Sequence, residues 1–140
     1  MNHPHEIRPD LDEGIDRKVL SQLRTRFLTL NQGRLARAME GFSSRQQLVL
    51  TLLPLFFHVN HPLLPGYVSG ATPTGVAGFE PNAQLLGEAQ RLTRSFSYKA
   101  RHGNPPQPIH GLFLMGSLGT LAQADQSDMD VWVCHGADLS

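Results

Sequence analysis

Apolar residues recur at spacings of three and four through residues 15–30, which predicts one face of an amphipathic helix. We expect this helix to begin near Leu11, where Asp10 or Asp12 could cap it, and to extend to Glu40. Its arginines could form a phosphate-binding face, although a solvated helix face is the favoured interpretation. They are Arg24, Arg26, Arg34 and Arg37.

The next apolar segment begins with a capping signal. Ser43 and Gln46 stand at the two positions of a capping box, so a helix is expected over residues 44–57. Pro54 should kink this helix or end its regular hydrogen bonding. Because the segment is apolar nearly all round, it is predicted to be the central buried helix.

A loop rich in Pro and Gly follows over residues 60–81, and Asn82 can cap a third helix over residues 83–98. His58 and His61 are three residues apart, which is a possible metal-ligand spacing. Neither Cys nor a carboxylate stands at a matching interval, so a metal role for this pair is disfavoured.

The pattern changes at residue 109, where a seven-residue apolar run ends at Gly116 and Ser117. Its apolar positions occupy both alternating faces, which predicts a strand buried on both sides. A second apolar run over residues 127–134 begins with Asp128 and Asp130 and predicts a second, antiparallel strand. Helices followed by strands indicate the α+β fold class.

Composition narrows the range of functions. Twelve basic and twelve acidic residues cancel, which argues against nucleic-acid binding and against a membrane-surface patch. The N-terminus lacks the features of a signal peptide, and the longest apolar run is too short to span a bilayer. The single cysteine, Cys134, suits a reducing compartment and is interpreted as a buried small hydrophobe. We therefore expect a cytoplasmic protein.

The acidic residues near the end of the sequence suggest a site for a bound cation. Residues 109–140 contain four Asp and no Lys or Arg. If Asp128 and Asp130 lie on one strand, both carboxylates leave the same face, and a bound cation would offset their repulsion. Glycine at position 116 permits close approach of a ligand, and Ser117 adds a hydroxyl donor. A short helix over residues 118–124 would make this turn an anion site.

An antiparallel pair would bring the Gly-Ser turn and the two aspartates to one edge of the sheet. Donors for phosphate would then face carboxylates that can hold Mg²⁺, as phosphoryl or nucleotidyl transfer requires. A surface hairpin whose acids only face water is the alternative. The absence of a Lys-Ser or Lys-Thr dipeptide after the glycine excludes a P-loop.

The sequence Met115-Gly116-Ser117, followed by Ser127-Asp128-Met129-Asp130-Val131-Trp132, resembles the class I adenylate cyclases of bacteria. More broadly it resembles the nucleotidyltransferase superfamily of the DNA-polymerase-β type. Residues 61–67, His-Pro-Leu-Leu-Pro-Gly-Tyr, and the helical region around residues 52–55 are also similar to these cyclases. The resemblance covers the chain from about residue 15 to residue 140.

The resemblance implies conversion of ATP to cyclic AMP and pyrophosphate. It implies that Asp128 and Asp130 are catalytic residues that hold Mg²⁺, with two ions expected, and that Gly116 and Ser117 hold the ATP phosphates. It also implies a third carboxylate on a later strand. Asp138 follows Asp130 too closely to supply it. The 140 residues alone are therefore expected to be inactive.

The resemblance also implies how the chain is divided. Residues 1–108 are interpreted as a helical lead-in, and residues 109–140 as the incomplete start of a nucleotidyltransferase core with a mixed sheet, within effectively one domain. Family members are several times longer, and a regulatory protein of the sugar phosphotransferase system is an expected partner of their C-terminal part. Two alternatives stay open: nucleotidyl transfer to a separate acceptor, and a non-catalytic regulatory or interaction module.

Overall fold

A computed structural model describes residues 16–120, 123–124, 126 and 128–137. In chain order the elements are the helices α1 (Arg17–Glu40), α2 (Ser44–His58) and α3 (Ala83–Leu92) and the strands β1 (Ile109–Met115) and β2 (Asp130–His135). Three helices followed by an antiparallel pair of strands confirm the α+β class. No helix in this part of the chain is both long enough and apolar enough to cross a membrane.

Helix α1 begins later than the periodicity predicted. Its N-cap is Asp16, whose carboxylate accepts a hydrogen bond from the Lys18 amide at 2.8 Å. The predicted caps, Asp10 and Asp12, lie outside the described residues. The C-terminal boundary at Glu40 is confirmed.

The apolar stripe of α1 is largely uncovered. Only Ala38 on this helix is buried, whereas the side chains at Phe27 and Leu30 are 48% and 71% exposed. Phe27 does make an edge-to-face contact with Phe113 of β1, with ring centroids 6.0 Å apart. Periodicity identifies which face of a helix is apolar, but it does not identify the element that covers that face.

Helix α2 carries the capping box that the sequence predicts. The Ser43 hydroxyl accepts from the Gln46 amide at 3.4 Å, and the Ser43 amide donates to Gln46 Oε1 at 2.9 Å. Pro54 lies inside the helix, which continues to His58. Proline therefore does not end the helix at this position.

The same helix connects two apolar clusters, which confirms its central place. Leu52 and Leu55 belong to a cluster completed by Leu64, Ala89 and Phe96. Leu50 belongs to a second cluster, which joins the end of α1 to the turn after β1. The members of that second cluster are Ala38, Phe42, Leu50 and Leu118.

Helix α3 is shorter than predicted. Asn82 caps its start as expected, with its side chain accepting from the Leu85 amide at 2.8 Å, but the helix ends at Leu92. At Thr93 the backbone becomes extended, and the hydroxyl donates to the Leu63 carbonyl at 3.2 Å. The chain then turns so that Phe96, 2% exposed, enters the core against α2. Tertiary burial of Phe96 outweighs the helical pattern.

Strand β1 has the predicted bounds and pairs antiparallel with β2. The prediction that it is buried on both faces is wrong for the described chain, because Ile109 is its only buried residue and Phe113 is exposed. Cys134 on β2 is also exposed, which corrects its interpretation as a buried hydrophobe. A sheet of two strands offers too little cover to bury both of its faces.

Candidate functional site

The end of β1 lies beside the start of β2. Met115 pairs with Asp130, and the chain turns at Gly116, where φ is 83°. A Cβ added at Gly116 would lie 3.3 Å from Asp130 Oδ2. The structure therefore brings the Gly-Ser turn and one aspartate together at one edge of the hairpin, as the antiparallel arrangement predicts.

Asp128 is placed differently from the prediction. It precedes β2, so the alternation of side chains along a strand does not fix its direction. Both aspartates are nevertheless exposed, and they flank Met129, which packs against the cluster around Leu118. The two carboxylates thus stand on either side of a residue that anchors the segment to the core.

The chemistry of these aspartates fits Mg²⁺. Magnesium is commonly held by one or two carboxylates together with substrate phosphates and water. Two exposed carboxylates, one of them beside Gly116, would supply the protein part of such a site. Within the described residues no group of three or more His, Cys, Asp and Glu could hold a metal ion without substrate oxygens. Asp128 and Asp130 stay candidate metal ligands, as predicted from the sequence.

The turn itself is irregular. Residues 116–119 form a turn and residue 120 a bend, so the predicted short helix does not begin at residue 118. The Ser117 carbonyl accepts from the Thr120 amide at 3.1 Å and from the Thr120 hydroxyl at 2.6 Å. The anion-binding helix N-terminus expected from the sequence is not supported by these residues.

Two arginines of α1 donate hydrogen bonds to backbone carbonyls of this turn. Arg34 donates through Nε to the Leu118 carbonyl at 2.6 Å and through Nη2 to the Gly116 carbonyl. Arg37 donates through Nε to the Gly119 carbonyl at 2.8 Å. Arg24, Arg26 and Arg37 are exposed, in agreement with the solvated face that the sequence favours. The guanidinium groups of Arg34 and Arg37 nevertheless also bind the backbone of the turn.

Glycine and glutamine complete the packing of the turn on α1. Gly119 has φ of 70°, and a Cβ at this position would overlap the Arg34 carbonyl. Gln123 accepts from the Gly119 amide at 2.6 Å and donates to the Ala38 carbonyl at 3.2 Å. The turn therefore lies directly against the backbone of the helix, which only glycine permits at position 119.

Sequence reasoning missed the role of Arg34 and Arg37 because the residues they bind lie 82 to 84 positions away. Their spacing of three does place both side chains on one face of α1. That spacing was the only local signal, and it does not distinguish a solvated arginine from one that binds distant carbonyl groups.

His58 and His61 use their rings locally. Nδ1 of His58 accepts from the Val76 amide at 3.0 Å, and Nδ1 of His61 accepts from the Leu63 amide at 3.1 Å. Burial lowers the pKa of His58 below 6.5, the nearby charge of Arg101 lowers this pKa further, and Glu80 opposes the shift. These contacts give both rings a structural role through Nδ1.

The helical lead-in, the antiparallel hairpin and the Gly-Ser turn beside Asp130 define an α+β chain with a candidate site for phosphate and a divalent cation. A sequence profile of the family described as "Adenylate cyclase NT domain" matches residues 19–140. The chain therefore belongs to the adenylate cyclase N-terminal domain family.

Individual relatives agree with this assignment. The chain is 39% identical over 127 residues to an adenylate cyclase of Yersinia intermedia, covering 86% of this chain and 14% of the relative. It is 40% identical over 121 residues to one of Pasteurella multocida strain Pm70, covering 79% of this chain and 14% of the relative. It is 36% identical over 122 residues to an adenylate cyclase of Escherichia coli strain K12, covering 83% of this chain and 14% of the relative.

The chain thus spans about one seventh of the length of these curated relatives, since the match covers 14% of each. No solved structure matches the chain significantly.

Proposed function

We propose that this chain forms the N-terminal part of the catalytic unit of an adenylate cyclase, which converts ATP to 3′,5′-cyclic AMP and pyrophosphate. The match of residues 19–140 to the adenylate cyclase family carries the proposal. Gly116 lies beside the Asp130 carboxylate, which supports placing the reaction at this turn. Nucleotidyl transfer needs the groups that bind phosphate and the groups that bind its metal counter-ions close together.

In this proposal Asp128 and Asp130 hold Mg²⁺, for which two ions are expected, and Gly116 and Ser117 hold the β- and γ-phosphates of ATP. Bound Mg²⁺ would neutralise charge on the phosphates and on the departing pyrophosphate. The ribose 3′-oxygen forms a bond to the α-phosphorus and loses its proton to water. The bond from that phosphorus to the oxygen that bridges the α- and β-phosphates breaks, and pyrophosphate leaves with that oxygen. The protein residues orient the triphosphate for this intramolecular displacement.

The test uses a full-length adenylate cyclase of Escherichia coli in which residues 16–140 of this chain replace the matched region. We expect Asp130→Asn and Asp128→Asn each to lower kcat by at least about 100-fold, because each removes a charge that binds the metal ion. Cyclic AMP formation from ATP and Mg²⁺ is the measurement. The 140-residue chain alone is expected to form none.

Glu40→Gln is the matched control, since Glu40 is an exposed acid at the end of α1 and its change removes the same charge. Its activity should equal that of the unaltered chimera. Full activity of Asp130→Asn in a folded chimera would contradict the metal role. Robust cyclase activity from the 140 residues alone would contradict their assignment as an incomplete site.

Product analysis distinguishes the remaining alternatives. ATP labelled at the α-phosphorus gives labelled cyclic AMP if the ribose hydroxyl is the nucleophile, and a labelled acceptor if the nucleotide is transferred. A non-catalytic module predicts neither product. It also predicts unchanged amide signals at residues 116–117 and 128–130 when Mg²⁺ and ATP are added to the folded chain.

The cytoplasm is the proposed compartment, because ATP is the substrate and the single exposed thiol of Cys134 suits a reducing environment. A phosphotransferase-system protein as regulator and the absence of nucleic-acid binding stay predictions. The first is implied by resemblance, and the second rests on the zero net charge of the sequence.

A further inference from the structure

Four successive carbonyl groups of the turn after β1 accept hydrogen bonds. The carbonyls of Gly116 and Leu118 accept from Arg34, and the carbonyl of Gly119 accepts from Arg37. The carbonyl of Ser117 accepts from within the turn, from Thr120. The backbone acceptors of the turn are thus occupied, three of them by donors from a single helix.

We propose that Arg34 and Arg37 are positioning residues of the phosphate-binding turn, an inference that rests on the proposed function. The turn contains two glycines with positive φ, Gly116 at 83° and Gly119 at 70°. Glycine gives such a segment many accessible backbone conformations, so something outside the turn has to select one. The two guanidinium groups select it by fixing three of its carbonyls relative to α1.

Arginine suits this role because its guanidinium group is planar and presents several donors in fixed directions. Arg34 uses two of these donors on carbonyls two residues apart, at Gly116 and Leu118. A lysine at this position keeps the charge but has one compact ammonium group, which does not reproduce the two fixed donor directions of the guanidinium group. Hydrogen bonds from a charged donor are also stronger than those between neutral groups.

The arrangement also favours an anion at the turn. A carbonyl oxygen is the negative end of a peptide dipole, and four of these oxygens are occupied by donors. The two guanidinium charges bound to these carbonyls add a favourable electrostatic potential for a triphosphate at the turn. Arg34 and Arg37 would therefore act through the turn, without touching the substrate, which makes them positioning residues.

The kinetic test uses the chimera described above with Arg34→Met, Arg34→Lys and Arg37→Met. A disordered turn should weaken ATP binding in the ground state and the transition state alike, so the KM for ATP should rise about tenfold while kcat changes less than about threefold. Arg34→Lys should recover only part of the loss. Arg24→Met is the control, because Arg24 is exposed on the same helix, about 15 Å along its axis from Arg34.

A second measurement is made on the 140-residue chain itself. The Gly119 amide donates to Gln123 and the Thr120 amide donates to Ser117, so both should be protected from hydrogen exchange. Arg34→Met should lower the protection of these amides at least about tenfold while amides in α2 and α3 stay protected. Arg24→Met should leave every amide unchanged.

The outcomes separate this inference from the proposed function. An active chimera in which Arg34→Met and Arg37→Met keep the wild-type KM would overturn the positioning role while leaving the cyclase assignment intact. A lower melting temperature of these variants with an unchanged KM would also overturn the positioning role, because it indicates that the arginines only stabilise the fold. A chimera that fails to respond to Asp130→Asn argues against the proposed function, and the exchange experiment then decides whether the arginines order the turn.

Discussion

His58 connects the end of α2 to the loop before α3, in which Val76 forms an isolated bridge with Ile109 of β1. Its Nδ1 accepts from the Val76 amide, and its ring meets Phe79 edge to face with centroids 5.1 Å apart. The pKa of His58 is lowered, first by burial and then by the charge of Arg101. The folded chain therefore favours the neutral ring, which can accept from the amide, over the charged ring, which cannot accept at a protonated Nδ1.

This environment predicts a dependence of stability on pH. Because the pKa of His58 is lowered in the folded state, the unfolded chain binds the proton first as pH falls through 6.5. The contribution of His58 to the free energy of unfolding should be complete above that pH, decline below it, and level off once the folded state is also protonated. Urea titrations between pH 5 and pH 8 measure this curve.

His58→Asn is the informative variant for this prediction, because its side-chain oxygen can accept from Val76 but does not titrate. It should remove part of the slope below pH 6.5, whereas the control His102→Gln, at an exposed histidine between α3 and β1, should leave that slope in place. An unchanged slope in a folded His58→Asn chain would show that another group carries the dependence.

The corner between α1 and α2 is formed by short-range contacts. The capping box of Ser43 and Gln46 starts α2, and the Gln47 side-chain amide donates to the carbonyls of Met39 at 2.8 Å and Phe42 at 3.1 Å. Phe42 is buried in the cluster that includes Leu118. The corner therefore sets the end of α1, with its two arginines, in the position from which they reach the turn.

Loss of the cap should destabilise this corner. Ser43→Ala removes the acceptor for the Gln46 amide, so the free energy of unfolding should fall by about 1 kcal/mol. Ser44→Ala, at the exposed first residue of α2, should change it by less than about 0.5 kcal/mol. Equal unfolding midpoints for the two variants in urea would contradict a stabilising cap.

Most of the exposed large apolar residues in the described part of the chain belong to α1 or to the hairpin. An open cavity of about 230 Å³ lies between them, lined by side chains of α1 and β1 that include Leu28, Leu35 and Phe113. Leu28 and Leu35 remain 47% and 45% exposed, and Trp132 on β2 is 62% exposed. Exposed apolar surface of this kind favours association with other apolar groups.

We therefore expect the folded 140-residue chain to bind a hydrophobic fluorescent dye under native conditions. Replacing Leu28 and Leu35 together by Glu should lower the bound fluorescence several-fold, because both residues line the cavity. Gln32→Glu, an exposed change on the same helix, should leave it unaltered. Absence of dye binding by the folded chain would show that this surface is covered in solution.

Short-range rules determined much of this fold from the sequence. The caps at Ser43 and Asn82 and the end of α1 depend on residues within four positions of each other, and the bounds of β1 follow from one apolar run. The pairing of two apolar runs also predicted that Gly116 and Asp130 meet. Local patterns sufficed in these cases because the interactions that decide them are local.

Only the tertiary structure decided what distant segments do to one another. It ended α3 early by burying Phe96, left the apolar face of α1 exposed, and placed Asp128 before the strand. Above all it showed that Arg34 and Arg37 bind a turn more than eighty residues away. No periodicity encodes such a contact, because it depends on how α1, α2 and the hairpin pack in three dimensions.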